Sequence, residues 1–178
     1  MTGPDPYMTR KQIASDLLSS HIWVKCVTTY VIKQTVSDVI LLGLAKTIAS
    51  KLRVCPYACR TPLKGRNLAI PEHRVPLGKI LIEKSPVNDV NVVCMFAQYS
   101  YGKVGSSSYY AKDETYTGRE AAFAKCLRKM DKRIPRDAVV AFPKFIGCGM
   151  GGGSWTRYKP MIEKFAINRN VLLVDFTG

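Results

Sequence analysis

Hydrophobic and polar positions follow two different periods along this chain, and each change of period predicts where a strand gives way to a helix. Short apolar runs rich in β-branched and aromatic residues predict strands at 21–33, 39–42, 78–83, 90–97, 138–142 and 171–176. Apolar residues spaced three and four apart predict helices at 44–52, 116–130 and 155–166. Because strands and helices alternate, the pattern favours an α/β fold.

The remaining segments predict the domain organisation. Gly3, Pro4 and Pro6 interrupt any regular element near the start, so residues 1–20 are predicted as an N-terminal arm. Residues 21–178 are long enough for one domain with a sizeable core. Within it, residues 55–76 contain four prolines with basic residues between them, which predicts a long irregular insertion loop.

A run of glycines carries the clearest chemical signal. Five glycines fall between Gly147 and Gly153, after an apolar strand and before the helix that begins at Trp155. This order of strand, glycine loop and helix places backbone N–H groups and a helix N-terminus against a phosphate. The alternative is a tight structural turn, but five glycines cost much conformational entropy for a turn alone. The candidate ligand-binding residues are Phe145, Ile146, Gly147, Cys148, Gly149, Met150, Gly151, Gly152, Gly153 and Ser154.

Four segments in the second half follow one another in the order of a known family. They are Leu77-Gly-Lys-Ile-Leu-Ile82, Val90-Asn-Val-Val-Cys-Met-Phe-Ala-Gln-Tyr99, the helix Tyr116 to Met130, and Ala141-Phe-Pro-Lys-Phe-Ile-Gly-Cys-Gly-Met-Gly-Gly-Gly-Ser-Trp155. Together they resemble the macro domain family, in its branch of ADP-ribose-1''-phosphate phosphatases and ADP-ribosyl hydrolases. The resemblance implies a three-layer α/β/α macro-domain-like fold with a central mixed sheet, and ADP-ribose or a related phosphate-bearing nucleotide as ligand.

The first half departs from that family's pattern. The segment Tyr30 to Thr35 has no acidic residue where the family carries an adenine-contacting Asp, and the family's Asn-rich loop has no counterpart before the helix at 44–52. Ser154 and Gly151 stand where relatives often carry an Asp. Three interpretations therefore remain. The first is a chain that binds ADP-ribose, with or without phosphatase or de-ADP-ribosylating activity. The second is an inactive basic structural or nucleic-acid-binding component of a larger assembly. The third is a different α/β phosphate-binding protein, although no Walker-type Lys-Ser or Lys-Thr pair follows the glycines, which counts against an NTPase.

Hydrolysis needs a base or an activated nucleophile. The sequence pattern identifies neither of them, so no residue is assigned a catalytic role. Ser154 needs a neighbouring base, and neither His21 nor His73 has a spacing that ties it to Ser154. Asp113 and Glu114 are interpreted as solvated, or as complementing the N-terminus of the following helix, with an approach to the ligand as the alternative. Trp155 is interpreted as packing at the helix start, whereas Phe145 can also lie against a ribose or a base.

The charge balance points to an anionic partner. Lys and Arg number 27 against 13 Asp and Glu, which gives a net charge of +14. Six basic residues lie in 125–136, with Asp131 as the one acidic residue there. Such a field favours nucleotides, RNA, a ribonucleoprotein or a viral assembly. Tyr99, Tyr101, Tyr109 and Tyr110, near Lys103 and Lys112, suit stacking of single-stranded bases, or packing at the base of their own loop.

The six cysteines indicate a reducing compartment. They are scattered, mostly within apolar runs, which is typical of free thiols rather than of a disulfide framework. Cys55 and Cys59 are close together, but no second Cys or His pair completes a zinc site. We therefore expect neither a metal nor a cofactor. No secretory signal or membrane-length apolar run is present in this sequence, so we expect an intracellular protein, cytoplasmic or nuclear, with no membrane partner.

Overall fold

The computed structural model describes residues 7–8, 21–28, 51–54, 76–87, 89–98, 103–104, 114–149 and 151–174. Its strands are β1 (Tyr7–Met8), β2 (His21–Thr28), β3 (Lys79–Lys84), β4 (Asn91–Gln98), β5 (Val139–Pro143) and β6 (Asn170–Val174). Its two long helices are α1 (Tyr116–Arg133) and α2 (Trp155–Ala166).

The described strands form one sheet in the order β1-β6-β5-β2-β4-β3. Every neighbouring pair is parallel except β3 and β4, which are antiparallel and joined by a short turn. β2 therefore lies between β5 and β4, although both follow it much later in the chain. Because β6, β5, β2 and β4 run in the same direction, their carboxyl ends lie at one edge of the sheet.

Both faces of the sheet carry buried side chains, as is usual for a mostly parallel sheet. Alternate residues of β4 divide between two apolar clusters, since successive side chains of a strand point to opposite faces. Val93, Met95 and Ala97 pack with α1 and α2, whereas Val92, Cys94 and Phe96 pack with Leu52 and Val54. This explains why β4 is almost wholly apolar rather than alternating.

The two helices lie side by side and run in the same direction along the sheet. Phe123 of α1 stacks on Tyr158 of α2, with ring centroids 4.6 Å apart. Near the other end, Arg169 is buried and donates to the carbonyl oxygens of Asp131, Ile134 and Pro135. The last carbonyls of a helix have no partner within the helix, so Arg169 satisfies the end of α1 and fixes it to the chain after α2.

The predicted elements agree closely with the described ones. The α/β prediction is confirmed, and the helix predicted at 155–166 has those bounds, while α1 extends three residues beyond the predicted Met130. Tyr7 and Met8, within the predicted N-terminal arm, pair with Leu173 and Val174. Of the helix predicted at 44–52, Lys51 and Leu52 are described and are helical. The strand predicted at 39–42 and the loop at 55–75 lie outside the described residues.

The core position of β5 gives a test of the fold. Val140 is completely buried in this strand, whereas Val87, in the turn between β3 and β4, is 46% exposed. We expect Val140→Ala to lower the free energy of unfolding by about 2–3 kcal/mol, through lost apolar burial and the cavity left behind. Val87→Ala, the matched control, should change it by less than about 0.5 kcal/mol. Urea denaturation measures both, and equal effects would contradict the described packing.

Candidate functional site

The glycine loop begins where β5 ends, at the edge shared by the carboxyl ends of the parallel strands. β5 stops at Pro143, and α2 begins at Trp155. Gln98, the last residue of β4, reaches the same region across the end of β2 and donates a 3.4 Å hydrogen bond from Nε2 to the Gly151 carbonyl oxygen. In open α/β sheets, ligands bind outside the carboxyl ends of the strands.

The loop is a series of tight turns held by its own backbone. Ile146 N donates to Pro143 O at 3.1 Å, Cys148 N to Phe145 O at 2.9 Å, and Gly153 N to Gly147 O at 2.9 Å. Gly147 and Gly152 have φ angles of 72° and 66°, which glycine adopts without steric cost. Within the part of the chain that the structure describes, the N–H groups of Gly147, Gly149 and Gly151 have no backbone acceptor.

The glycines of the loop differ in how closely other atoms approach them. A Cβ at Gly151 would collide with the backbone carbonyl of Gly147, and one at Gly153 would come within 2.7 Å of Tyr158 Cε2. These two positions need glycine because the chain packs against itself there. Gly149 is exposed, and no heavy atom of the described residues lies within 4 Å of where its Cβ would be. One turn of the loop therefore faces open space.

Phe145 holds an unusual conformation at the entrance to the loop. Its φ is 62°, in the left-handed region, which costs a bulky residue roughly 1–3 kcal/mol. Its ring remains 44% exposed and packs edge-on against Trp155, with centroids 5.4 Å apart. Lys144 Nζ lies 5.3 Å from the same ring centroid. An aromatic surface and a cation thus lie directly beside the glycine turns.

A buried ion pair at the start of α1 holds the loop in place. Arg119, on the inner face of α1, is 1% exposed and donates from Nη1 to the Gly151 carbonyl at 2.6 Å. Its Nη2 lies 2.5 Å from Glu114 Oε2, and both side chains are buried. A buried charge needs a paired charge and hydrogen bonds to offset its lost hydration. Arg119 receives these from Glu114 and from the loop, so α1 and the loop depend on each other.

Gln98 and Arg119 were not found from the sequence, and the interpretation of Glu114 as solvated is wrong. Glu114 is not solvated: it is buried against Arg119, while the N-terminus of α1 is capped by Thr115, whose hydroxyl accepts from Gly118 N at 3.0 Å. Arg119 lies three and four residues before Ala122 and Phe123, on the apolar stripe of α1. A basic residue on a buried stripe was the signal that could have identified it. Gln98, at the end of an apolar strand, gave a weaker one.

The side chains of the loop offer little nucleophilic chemistry. The Ser154 and Thr156 hydroxyl oxygens lie 2.7 Å apart, exposed at the start of α2. No carboxylate or imidazole contacts Ser154 among the described residues. Burial raises the pKa of the Cys148 thiol to about 11, so its thiolate is scarce at neutral pH. The side chain of Ile146 lies in the hydrophobic core, which leaves only its backbone for a ligand.

Several other predicted residues cannot be placed. Met150, His73, Lys112, Asp113 and the four tyrosines at 99, 101, 109 and 110 lie outside the described residues, and so does the side chain of His21. Lys103 is described and exposed. Among the described residues, no group of three or more His, Cys, Asp or Glu could hold a metal ion. None of the described helices combines the length and the apolar character needed to cross a membrane.

Known structures share the overall fold of this chain, although no family model and no curated protein sequence matches it. A protein of unknown function from Bacteroides thetaiotaomicron has a TM-score of 0.57 at 15% identity, over 96% of both chains. The macrodomain of Mycobacterium tuberculosis DarG has a TM-score of 0.55 at 13% identity, over 89% of this chain and 92% of that one. At such identities the similarity defines the fold, which is macro-domain-like.

The Arg119–Glu114 pair gives a test of how the loop is supported. We expect Arg119→Met or Glu114→Gln to lower the free energy of unfolding by about 3–5 kcal/mol, because each leaves a polar group buried without its ionic partner. Thermal unfolding measures the loss. The matched control is Arg157→Met, which breaks the 3.1 Å pair between exposed Arg157 of α2 and Glu120 of α1 and should cost less than about 1 kcal/mol. Similar losses for Arg119→Met and Arg157→Met would contradict the assigned role.

Proposed function

We propose that this chain binds ADP-ribose, or a related nucleotide diphosphate, at the glycine loop. The observation that carries the proposal is the open turn at Gly149, at the carboxyl edge of the sheet, between backbone N–H groups and the N-terminus of α2. The similarity in fold to a macrodomain supports ADP-ribose as the ligand class, since the macro domain family binds ADP-ribose.

The geometry suggests how the ligand is held. The N–H groups of Gly147, Gly149 and Gly151 are donors to the pyrophosphate, and the positive end of the α2 dipole favours the same negative charge. The exposed ring of Phe145 lies against a ribose or the base. The Lys144 ammonium beside that ring adds electrostatic attraction for the phosphates. Arg119 acts indirectly, by holding the Gly151 carbonyl so that the loop keeps its shape.

Hydrolysis is a further part of the proposal, as ADP-ribose-1''-phosphate phosphatase or de-ADP-ribosylating activity. Such a reaction needs a base or a nucleophile beside the bound ribose. A carboxylate at position 151 would not fit this backbone, because its Cβ would collide with the Gly147 carbonyl. A catalytic group must therefore come from another segment, and none is assigned.

Ligand binding can be tested with a substitution that fills the open turn. ADP-ribose at a hundredfold excess over its Kd should stabilise the wild-type chain by about 2–3 kcal/mol, measured as a rise in melting temperature. Gly149→Leu should weaken ADP-ribose binding at least about tenfold in calorimetric titration, because the new side chain occupies the space that the diphosphate needs.

Two controls make the result specific. Ala121→Leu adds a comparable side chain at an exposed position of α1 and should leave ADP-ribose affinity unchanged. AMP, which lacks the diphosphate, should bind more weakly than ADP-ribose. If millimolar ADP-ribose produces neither heat nor thermal stabilisation, or if Gly149→Leu binds it as tightly as wild type, the proposal is wrong.

A second candidate function rests on the net charge of +14. We propose, as the alternative, that the chain is an inactive basic component that binds RNA or a ribonucleoprotein, or takes part in a viral assembly. Exposed Lys125, Arg128 and Lys132 follow one another along the outer face of α1, at the spacing of a continuous helical stripe. Such a stripe can follow a phosphate backbone.

The alternative predicts a strong dependence on salt. If several phosphates are neutralised, the affinity for a labelled single-stranded RNA should fall steeply and linearly with salt on logarithmic axes, because bound counterions are released. Fluorescence anisotropy at increasing NaCl concentration measures this slope. An absent signal, or one insensitive to salt, would contradict RNA binding.

Two broader expectations remain proposals. A three-layer α/β/α arrangement around a central mixed sheet is supported by the two apolar clusters on opposite faces of the described sheet. An intracellular location, cytoplasmic or nuclear, is supported by the free thiols of Cys94, Cys126 and Cys148.

A further inference from the structure

A groove lies at the end of the helix pair away from the glycine loop. α1 and α2 run in parallel, so the glycine loop adjoins their first turns, whereas a groove of about 640 Å³ opens between their last turns. That volume is within the range of about 300–1,000 Å³ that is usual for ligand sites. The floor of this groove is apolar: Ala124 and Met161 are half-buried and offer its accessible surface, and Leu127 and Phe165 are buried beneath them.

The rim of the groove is strongly basic. Arg128, Lys132, Arg136 and Lys164 are exposed around it. The one carboxylate in the lining, Asp131, already pairs with Arg169 at 2.8 Å and Arg136 at 3.1 Å. The hydrogen bond from the Arg169 side chain is the main reason that the pKa of Asp131 lies below its usual value. Asp131 therefore stays ionised and paired with the two arginines. Arg128, Lys132 and Lys164 form no ion pair among the described residues.

The apolar floor favours an acidic peptide over a nucleic acid as the anionic partner of this groove. Single-stranded nucleic acids gain affinity by stacking bases on exposed aromatic rings. Phe165 cannot serve in this way, because it is 9% exposed, Arg169 Cζ covers it at 5.1 Å from the centroid, and Phe142 meets it edge-on. A duplex backbone is convex and would contact the basic rim without using the floor. An apolar floor within a basic rim instead complements a segment with apolar and acidic side chains.

We propose that this groove binds an acidic peptide segment of a partner protein. An apolar side chain of the peptide, such as leucine, lies on the floor between α1 and α2, and neighbouring carboxylates pair with Arg128, Lys132 and Lys164. This is recognition of a helix or strand by a groove, in which apolar anchors give affinity and rim charges give orientation. The proposal does not depend on ADP-ribose binding, because the groove and the glycine loop lie at opposite ends of the helices.

Fluorescence anisotropy with three labelled probes tests the proposal. The first is a glutamate-rich peptide with leucines at helical i, i+3 and i+4 spacing, the second is the same peptide with those leucines replaced by glutamine, and the third is a single-stranded RNA. We expect the full-length chain to bind the leucine-containing peptide more tightly than the glutamine version.

Paired variants locate the binding surface. Arg128→Glu with Lys132→Glu should weaken the leucine-containing peptide by roughly tenfold or more, because two attractions become repulsions. The control, Lys51→Glu with Lys79→Glu, makes the same change in net charge at exposed positions outside the groove. Ala124→Gln places a polar side chain over the floor and should weaken the peptide, whereas Ala121→Gln, at an exposed position of the same helix, should not.

Each other outcome overturns the proposal. Equal weakening by the two double variants would mean that net charge alone attracts the peptide. Tighter binding of RNA than of peptide, unaffected by Ala124→Gln, would assign this face to nucleic acid. Absence of peptide binding would contradict the assignment directly. The charge variants lie at exposed positions, so they remain informative even if Ala124→Gln does not fold, and melting curves identify that case.

Discussion

A single buried guanidinium connects the helical layer to the glycine loop. Arg119 lies within the apolar face of α1, where an unpaired charge would lose most of its hydration without compensation. Glu114 pairs with it through Nη2, and the Gly151 carbonyl accepts a hydrogen bond from Nη1. The position of the loop therefore depends on the placement of α1, and an error in either element leaves a charge buried without its partner.

The loop itself shows why a glycine-rich segment need not be flexible. Gly151 and Gly153 approach other atoms too closely for any side chain, and Gly147 adopts a φ that most residues avoid. The same packing holds Phe145 in a left-handed conformation with its ring exposed beside Trp155. A loop fixed in this way can present N–H groups to an anion without ordering them at the moment of binding. For the ligand site that we propose, this preorganisation, rather than any reactive side chain, is the chemical contribution of the loop.

The parallel arrangement of α1 and α2 gives the two ends of the pair different properties. At their first turns, the helix dipole of α2 and the loop amides favour an anion. At their last turns, Lys132, Arg133 and Lys164 complement the negative ends of the dipoles, and Lys132 and Lys164 also belong to the basic rim of the groove. Arg169 donates to the Asp131 carbonyl near the end of α1 and also pairs with the Asp131 carboxylate. The negative charge of Asp131 is therefore neutralised within the protein and does not offset the basic rim. One structural unit thus carries both of the surfaces that we propose for negatively charged partners.

The sequence by itself determined the elements of the second half and the place of the glycine loop. Those features rest on local periodicity and on glycine and proline spacing, which act over a few residues: α2 has its predicted bounds, and β3, β4 and β5 lie within one residue of theirs. Only the tertiary structure decided that β2 lies between β5 and β4, that Glu114 is buried rather than solvated, and that Gln98 and Arg119 meet at Gly151. These contacts join residues more than thirty positions apart along the chain, and no local pattern encodes such pairings. The division between the packed glycines and the open Gly149 likewise depends on what the folded chain brings next to each one.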